Sequence, residues 1–420
     1  MIGWGAGVLA TQRLAREPWS PTSLWLSVGV AFGGVSLIVY AWLAAGKPGL
    51  VALIALEALA VAAAFAAGRP AATRSRSQPR SRPPALLVAL LVCAAAACAA
   101  GMVRTFWALP HGTWDAVEIW NLRAVAFTRA GLAEAFSEVR HADYPLLVPL
   151  AVAHLWAYTG ESIAVPIAIS SVFTVATAGL LYTATCRSSG ALPAAAVTIA
   201  LLAAPHFAYG GGSQRADIPL SFFGLGTAVA LAGYARERAS GLLVLAGVQI
   251  GCAAWTKNEG LLFAAVVTAA WLATDGRREL RRLGLLAAGA APFALALLHH
   301  KLTCGGVTDL VAAQGADTWQ RLGDPGRYAL IARAFAREGG YYAAAALALG
   351  VGLRRRERGG ERRNDPARFI PWTLAGMLLG YAGTYLLTPH DLGWHLWSSL
   401  ERLLVQLWPM TLFYVGLRAR

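Results

Sequence analysis

Residues 85–108 read ALLVALLVCAAAACAAGMVRTFWA, a run of apolar and small side chains interrupted by one charge, Arg104. A bilayer core is crossed by a helix of about 20 such residues. Runs of the same kind recur on both sides of this one. Of 420 residues, 57% are hydrophobic and only 14% charged, against about a quarter charged in soluble domains. The fold expected is therefore all-α, a polytopic membrane helical bundle.

Working outward from 85–108, spans are expected at Ser23–Ala44, Leu50–Ala67, Ile163–Thr185, Ala191–Ala204 and Pro219–Tyr234. Further spans are expected at Gly241–Trp255, Leu261–Thr274, Leu283–Leu298, Tyr341–Leu353, Phe369–Leu387 and Leu403–Leu417, twelve in all. No soluble domain of useful size is left between them. The Arg/Ser/Pro stretch Arg69–Pro84 reads as a flexible linker. It separates an N-terminal hairpin (1–68), expected to be accessory, from a core over 85–420. No internal repeat is evident, which disfavours inverted-repeat transporters.

The net charge of +14 raises nucleic acid as a partner. The arginines, however, stand in blocks between apolar runs, the distribution that orients membrane helices. Arg13, Arg16, Arg187, Arg236, Arg238, Arg418, Arg420 and the blocks 69–82, 277–282 and 354–368 hold 23 of the 36 Lys and Arg residues. All fall on one side when both termini are cytoplasmic, a parity that twelve spans satisfy. Membrane lipids, not nucleic acid, are the expected partners, in a bacterial inner membrane. Cys93, Cys98, Cys186, Cys252 and Cys304 form no C-x-x-C pair, so neither a disulfide framework nor a zinc site is indicated. The first run, near Met1–Ala10, lacks the basic flank and cleavage site of a signal peptide.

One segment threatens the parity. Tyr144–Tyr158 (YPLLVPLAVAHLWAY) resembles a span, and counting it would invert every later loop. It is short, begins with two prolines four residues apart and contains His154, so it is expected to dip into the outer leaflet without crossing. A thirteenth span is the alternative.

Polar residues away from the basic side mark where chemistry could occur. The loop after residue 108 carries Asp115, Glu118, Trp120 and Arg123, then His141 and Tyr144. On an α-helix Asp115 and Glu118 share a face, a carboxylate pair at the membrane surface or simply a solvated amphipathic turn. The second outer loop reads Tyr209-Gly-Gly-Gly-Ser-Gln-Arg215-Ala-Asp217. Its glycines would let a backbone approach a ligand; Asp217 could equally cap the helix beginning near Pro219. Lys257, Asn258 and Glu259 fill a turn with almost no gap between apolar runs, where an unpaired charge is costly and an internal ion pair is the plain alternative. His395 and Arg402 precede the last span. Together these cations suit an anionic lipid headgroup, and the carboxylates a hydroxyl acceptor.

These loops resemble the GT-C superfamily of polyprenyl-phosphate-sugar-dependent transferases, which includes protein O-mannosyltransferases and the lipid A aminoarabinose transferase. The resemblance rests on Asp115 with Trp120 and Arg123-Ala124, His141 with Tyr144-Pro145, Arg215-Ala-Asp217-Ile-Pro219, Ala254–Gly260 and Arg402 with Pro409. It covers Trp107–Leu417 and leaves the first two spans outside. It implies an inverting glycosyl transfer from a polyprenyl-phosphate sugar to a glycan, lipid or protein acceptor on the extracytoplasmic face, with Asp115 as base. The first loop lacks the adjacent Asp-Glu pair of the O-mannosyltransferases, which leaves the role of Glu118 and any divalent metal open.

A transporter or lipid flippase is the main rival, and a non-catalytic scaffold a second. Transporters place ionisable residues near mid-membrane, whereas here most charged candidates stand at span ends, with Glu57 in the second span the exception.

Overall fold

The computed structural model describes residues 2–15, 20–66, 83–132, 141–274, 280–303, 308–312, 314–353 and 365–419. The Arg69–Pro84 linker up to residue 82, Arg140, Cys304 and most of the 354–368 block lie outside the described residues. Among those described, all regular structure is helical. The helices are α1 (Ile2–Ala15), α2 (Pro21–Ala44), α3 (Leu50–Ala66), α4 (Ala85–Ala108), α5 (Leu122–Arg129), α6 (Leu147–Thr159), α7 (Ala164–Ser189), α8 (Ala191–Leu202) and α9 (Pro205–Gly212). They continue as α10 (Asp217–Glu237), α11 (Ser240–Thr256), α12 (Asn258–Thr274), α13 (Leu283–Thr303), α14 (Asp309–Ala312), α15 (Ala316–Gly323), α16 (Pro325–Gly352), α17 (Phe369–Leu387) and α18 (Leu392–Arg418).

By length and composition five stretches can cross a membrane: α2, α4, α7, α10 and Leu280–Thr303. A sixth is added if α8 and α9, bent by 65°, count as one broken span. The chain thus has the character of a membrane protein, but helix length and composition alone do not carry the expected twelve spans. Most of the remaining expected spans coincide with helices that are short or carry charge, while α17, uncharged and 19 residues long, is not among those five stretches either. Helices α3, α11 and α12 have 17 residues, about 25 Å at 1.5 Å per residue. Helix α18 carries Glu401 and Arg402, and α16 starts well before Tyr341, at Pro325, with Asp324 as its N-cap.

Burial separates two kinds of helix. Every residue of α10 from Asp217 to Tyr234 is buried, so this helix forms the centre; apolar residues on all sides suit that place. In α4 only Cys98, Met102 and Thr105 are buried, leaving a continuous apolar outer face. Helix α2 packs against α6, α7, α10, α11 and α13, so the N-terminal region shares the core.

The bundle has two chemically distinct ends. At one, Arg187 pairs with Glu237 at 2.9 Å, Arg236 donates to Ser188 Oγ, Arg282 to Tyr234 and Arg418 to Asp365. The end of α7, the end of α10, the start of α13 and the end of α18 therefore meet in a basic rim, as the alternation of arginine blocks predicts. At the other end the last turn of α4 reaches α9, and Ser170 near the start of α7 donates to Gly211 O. Helix α6 does not carry the chain between these ends. Its N-terminal flank is held by Arg123, and Glu161, just beyond its C-terminus, pairs with Arg129 of α5 at 2.8 Å. Its 13 residues are too few for a crossing.

Candidate functional site

The polar residues of the second end converge on Asp217, the first residue of α10. Lys257 Nζ lies 3.0 Å from Asp217 Oδ1, and Gln406 Nε2 donates to the same oxygen at 2.7 Å. Arg402 Nε and Arg215 Nε approach Oδ2 at 3.2 and 3.6 Å. Asp217 does not cap its helix: the N-cap position is Ala216, with no side-chain bond. A carboxylate this deeply buried is stable only when charge and hydrogen bonds compensate it, and here four donors do so.

Arg402 spans two carboxylates. Its Nη2 lies 2.6 Å from Asp115 Oδ2 while its Nε faces Asp217. Lys257 is shared likewise, with Glu259 Oε1 at 2.7 Å. Three cations therefore face three carboxylates, drawn from four segments of the chain. The Asp217 side chain is 3% exposed, while those of Asp115 and Glu259 are 23% and 21% exposed, so these two are the carboxylates open to a substrate. Arg215 also lies over the Tyr209 ring at 5.3 Å and donates to Ser213 Oγ. Burial lowers its pKa, and Asp217 opposes the shift.

Local backbone places these groups. Lys257 is a single extended residue (φ −160°, ψ 156°) between α11 and α12. The chain doubles back so tightly that a Cβ on Gly260 would lie 1.8 Å from Ala253 O. Gln214 adopts φ +59°, and its amide joins the loop after α4 to the loop after α9, donating to Pro110 O at 3.0 Å and accepting from Asn121 Nδ2 at 3.1 Å. Thr113 N–H donates to Ser213 O. This seam sets Asp115 beside Asp217, so both lie at one end of the bundle although helices α5 to α9 come between them in sequence.

Two expectations change. Asp115 leads into a π-helix, Ala116–Asn121, in which Leu122 N–H bonds Val117 O. The wider turn breaks the three-residue stacking expected of Asp115 and Glu118; Asp115 turns to Arg402, and Glu118 has no ion pair among the described residues. Single π-turns are frequent at functional sites. The glycines of 210–212 serve packing rather than ligand approach. A Cβ on Gly211 would lie 2.6 Å from Thr174 Oγ1 of α7, and one on Gly212 would lie 2.6 Å from Thr105 Cβ of α4.

The other anticipated residues form a supporting layer. Arg123 is fully buried and donates to Tyr144 O at 2.9 Å and to His141 O. It thereby holds a turn in which His141 has φ +55°. From the opposite side His300 Nε2 meets Ala142 O, and Lys301 donates to Asp143 O. Asn258 Nδ2 donates to Asp143 Oδ2 at 2.7 Å. Trp120 is buried edge-to-face on Tyr144, at 5.7 Å, whereas Trp114 is exposed. Burial, with Glu259, Asp143 and Asp115 nearby, pushes the Tyr144 phenol well above its ordinary pKa. It therefore remains a hydrogen-bond donor beside the cluster. His395 bonds Thr388 Oγ1 at 2.9 Å and packs edge-on against Tyr385 at 5.0 Å.

Sequence reading missed Gln406, Tyr381 and Asp143. Gln406 is one helical turn beyond Arg402, a spacing that places both on one face of α18, and Tyr381 O–H donates to its Oε1 at 2.9 Å. Among the described residues no three His, Cys, Asp or Glu side chains are grouped to hold a metal ion. No protein-family model matches the chain, nor does any curated protein or solved structure.

What this arrangement can do follows from its charges. Cations at a water-poor surface offer charge-assisted hydrogen bonds to phosphate oxygens. A carboxylate fixed beside them can accept a proton from a bound hydroxyl.

Proposed function

We propose that the Asp217 end of the bundle is the active site of an inverting membrane glycosyltransferase. It moves a sugar from a polyprenyl-phosphate donor to a glycan, lipid or protein acceptor of the cell envelope. The observation that supports this reading best is Arg402 bridging partly exposed Asp115 and buried Asp217. It sets a partly open base within one side chain of a built cation group.

The acceptor O–H attacks the anomeric carbon from the face opposite the phosphate. The carbon–oxygen bond to phosphate breaks, its electron pair leaves with the polyprenyl phosphate, and Asp115 takes the acceptor proton. Arg215, Lys257 and Arg402 neutralise the charge that develops on the leaving oxygen. Asp217 and Gln406 position those cations. In this account about twelve segments cross the bacterial inner membrane, both termini are cytoplasmic and the site faces outward. The basic rim at the opposite end supports that orientation.

Deletion of the protein, followed by mass spectrometry of envelope glycans and glycolipids, tests the function. Loss of a sugar that wild-type protein restores and Asp115→Asn does not is the expected result. An unchanged profile on deletion counts against it.

A further inference from the structure

Glu57 is a carboxylate within apolar α3, buried and far from the Asp217 group. Two residues of α6 hold it: His154 Nε2 lies 2.8 Å from Glu57 Oε1, and Tyr158 O–H donates to the same oxygen at 2.8 Å. Both contacts fall on Oε1. The carboxylate also lines a cavity of about 150 Å³ between α1, α2 and α3. The rest of the lining is small or aliphatic, with Gly7 on α1, Ala31 and Gly34 on α2 and Ala60 beside Glu57 on α3. A Cβ on Gly34 would have nothing within 4 Å. The space therefore opens at Gly34, whereas Gly7 and Ala31 at its edge are closely packed.

We propose that this cavity binds the hydroxyl end of a slender apolar chain, a long-chain alcohol drawn from the surrounding lipid, with its O–H donating to Glu57. An apolar cavity of about 150 Å³ is known to admit a molecule the size of benzene, so several chain carbons fit. His154 and Tyr158 both meet Oε1, which leaves Oε2 to accept from a ligand donor, and a polar atom facing apolar walls gains from such a partner. A neutral hydroxyl is also far less costly to bring between such apolar walls than a cation. This site is separate from the proposed transfer site and does not depend on it.

The test uses the full-length protein in detergent, a diazirine-tagged long-chain primary alcohol, and decan-1-ol, decane or decylamine as competitor. Photolabelling should fall on α1–α3 and be suppressed by decan-1-ol but not by decane. Gly34→Leu fills the cavity and should cut labelling by about tenfold or more, as should Glu57→Gln by removing a hydrogen bond to charge. Size-exclusion elution identifies any variant that fails to fold, and competition on the unaltered protein needs no variant. Labelling indifferent to Gly34→Leu overturns the site. Equal competition by decane, or stronger competition by decylamine, overturns the hydroxyl assignment.

Discussion

Arg402 and Asp115 are 287 positions apart in sequence, and the guanidinium Nη2 of one lies 2.6 Å from the carboxylate of the other. The same guanidinium reaches Asp217 through Nε. A planar fork can serve two carboxylates at once, and a lysine ammonium at the end of a flexible stem cannot do so with the same geometry.

Arg402→Lys should therefore retain the charge and lose the bridge. Turnover is expected to fall by about a hundredfold, with folded yield preserved. Steady-state kinetics on purified protein measures this. Wild-type kcat in Arg402→Lys would show that the bridge does not matter.

The two aspartates should separate in stability. Asp217→Asn leaves three cations without their shared buried partner, and breaking a buried pair costs about 3–5 kcal/mol. Asp115→Asn leaves Arg402 still paired with Asp217 and should cost less. Thermal unfolding in detergent compares them, and equal melting temperatures would contradict the difference in burial.

Gly260→Ala tests how Lys257 is placed. Its methyl would sit 1.8 Å from Ala253 O, against backbone, which cannot rotate away. Destabilisation of about 3 kcal/mol is expected from such overpacking, together with loss of turnover. An unaltered melting temperature would mean that the α11–α12 turn is looser than described.

The orientation is open to a labelling test in a background lacking the native cysteines. With an impermeant thiol reagent on intact cells, Glu138→Cys should react and Arg76→Cys should not. The opposite pattern reverses the topology.

How much of this was legible depended on the kind of signal. Asp115, Asp217, Lys257 and Arg402 stood out because charge beside an apolar run is costly, and the structure gathers all four into one cluster. The short reach of α6 could be read from its prolines and length. Gln214, Asn121 and Gln406 could not, because neutral amides carry no sidedness and their partners are up to 189 residues away. Glu118 was misplaced because α-helical spacing was applied to a π-turn. The 210–212 glycines were misread because close approach to a neighbouring helix and close approach to a ligand leave the same sequence trace. Helix α1, with only 14 residues, fell below the length that a span search recognises. Glu57 had no evident role until α6 was placed against α3.

The second carboxylate of the first loop gives a paired control. Glu118→Gln should keep turnover within a few-fold of wild type, since Glu118 has no ion pair with the cation group. Tyr144→Phe removes a donor beside the cluster and should lower turnover by about tenfold, one neutral hydrogen bond being worth about 0.5–1.5 kcal/mol. A larger loss in Glu118→Gln than in Asp115→Asn would move the base one turn along the chain.

The central claim is that Asp115 is the base of a glycosyl transfer, and turnover of a polyprenyl-phosphate sugar by purified Asp115→Asn tests it most directly. The substitution keeps size and removes basicity, and base catalysis typically contributes about 10² to 10⁴-fold. The account predicts a fall of at least about a hundredfold, with donor binding retained. Turnover near the wild-type rate would contradict it.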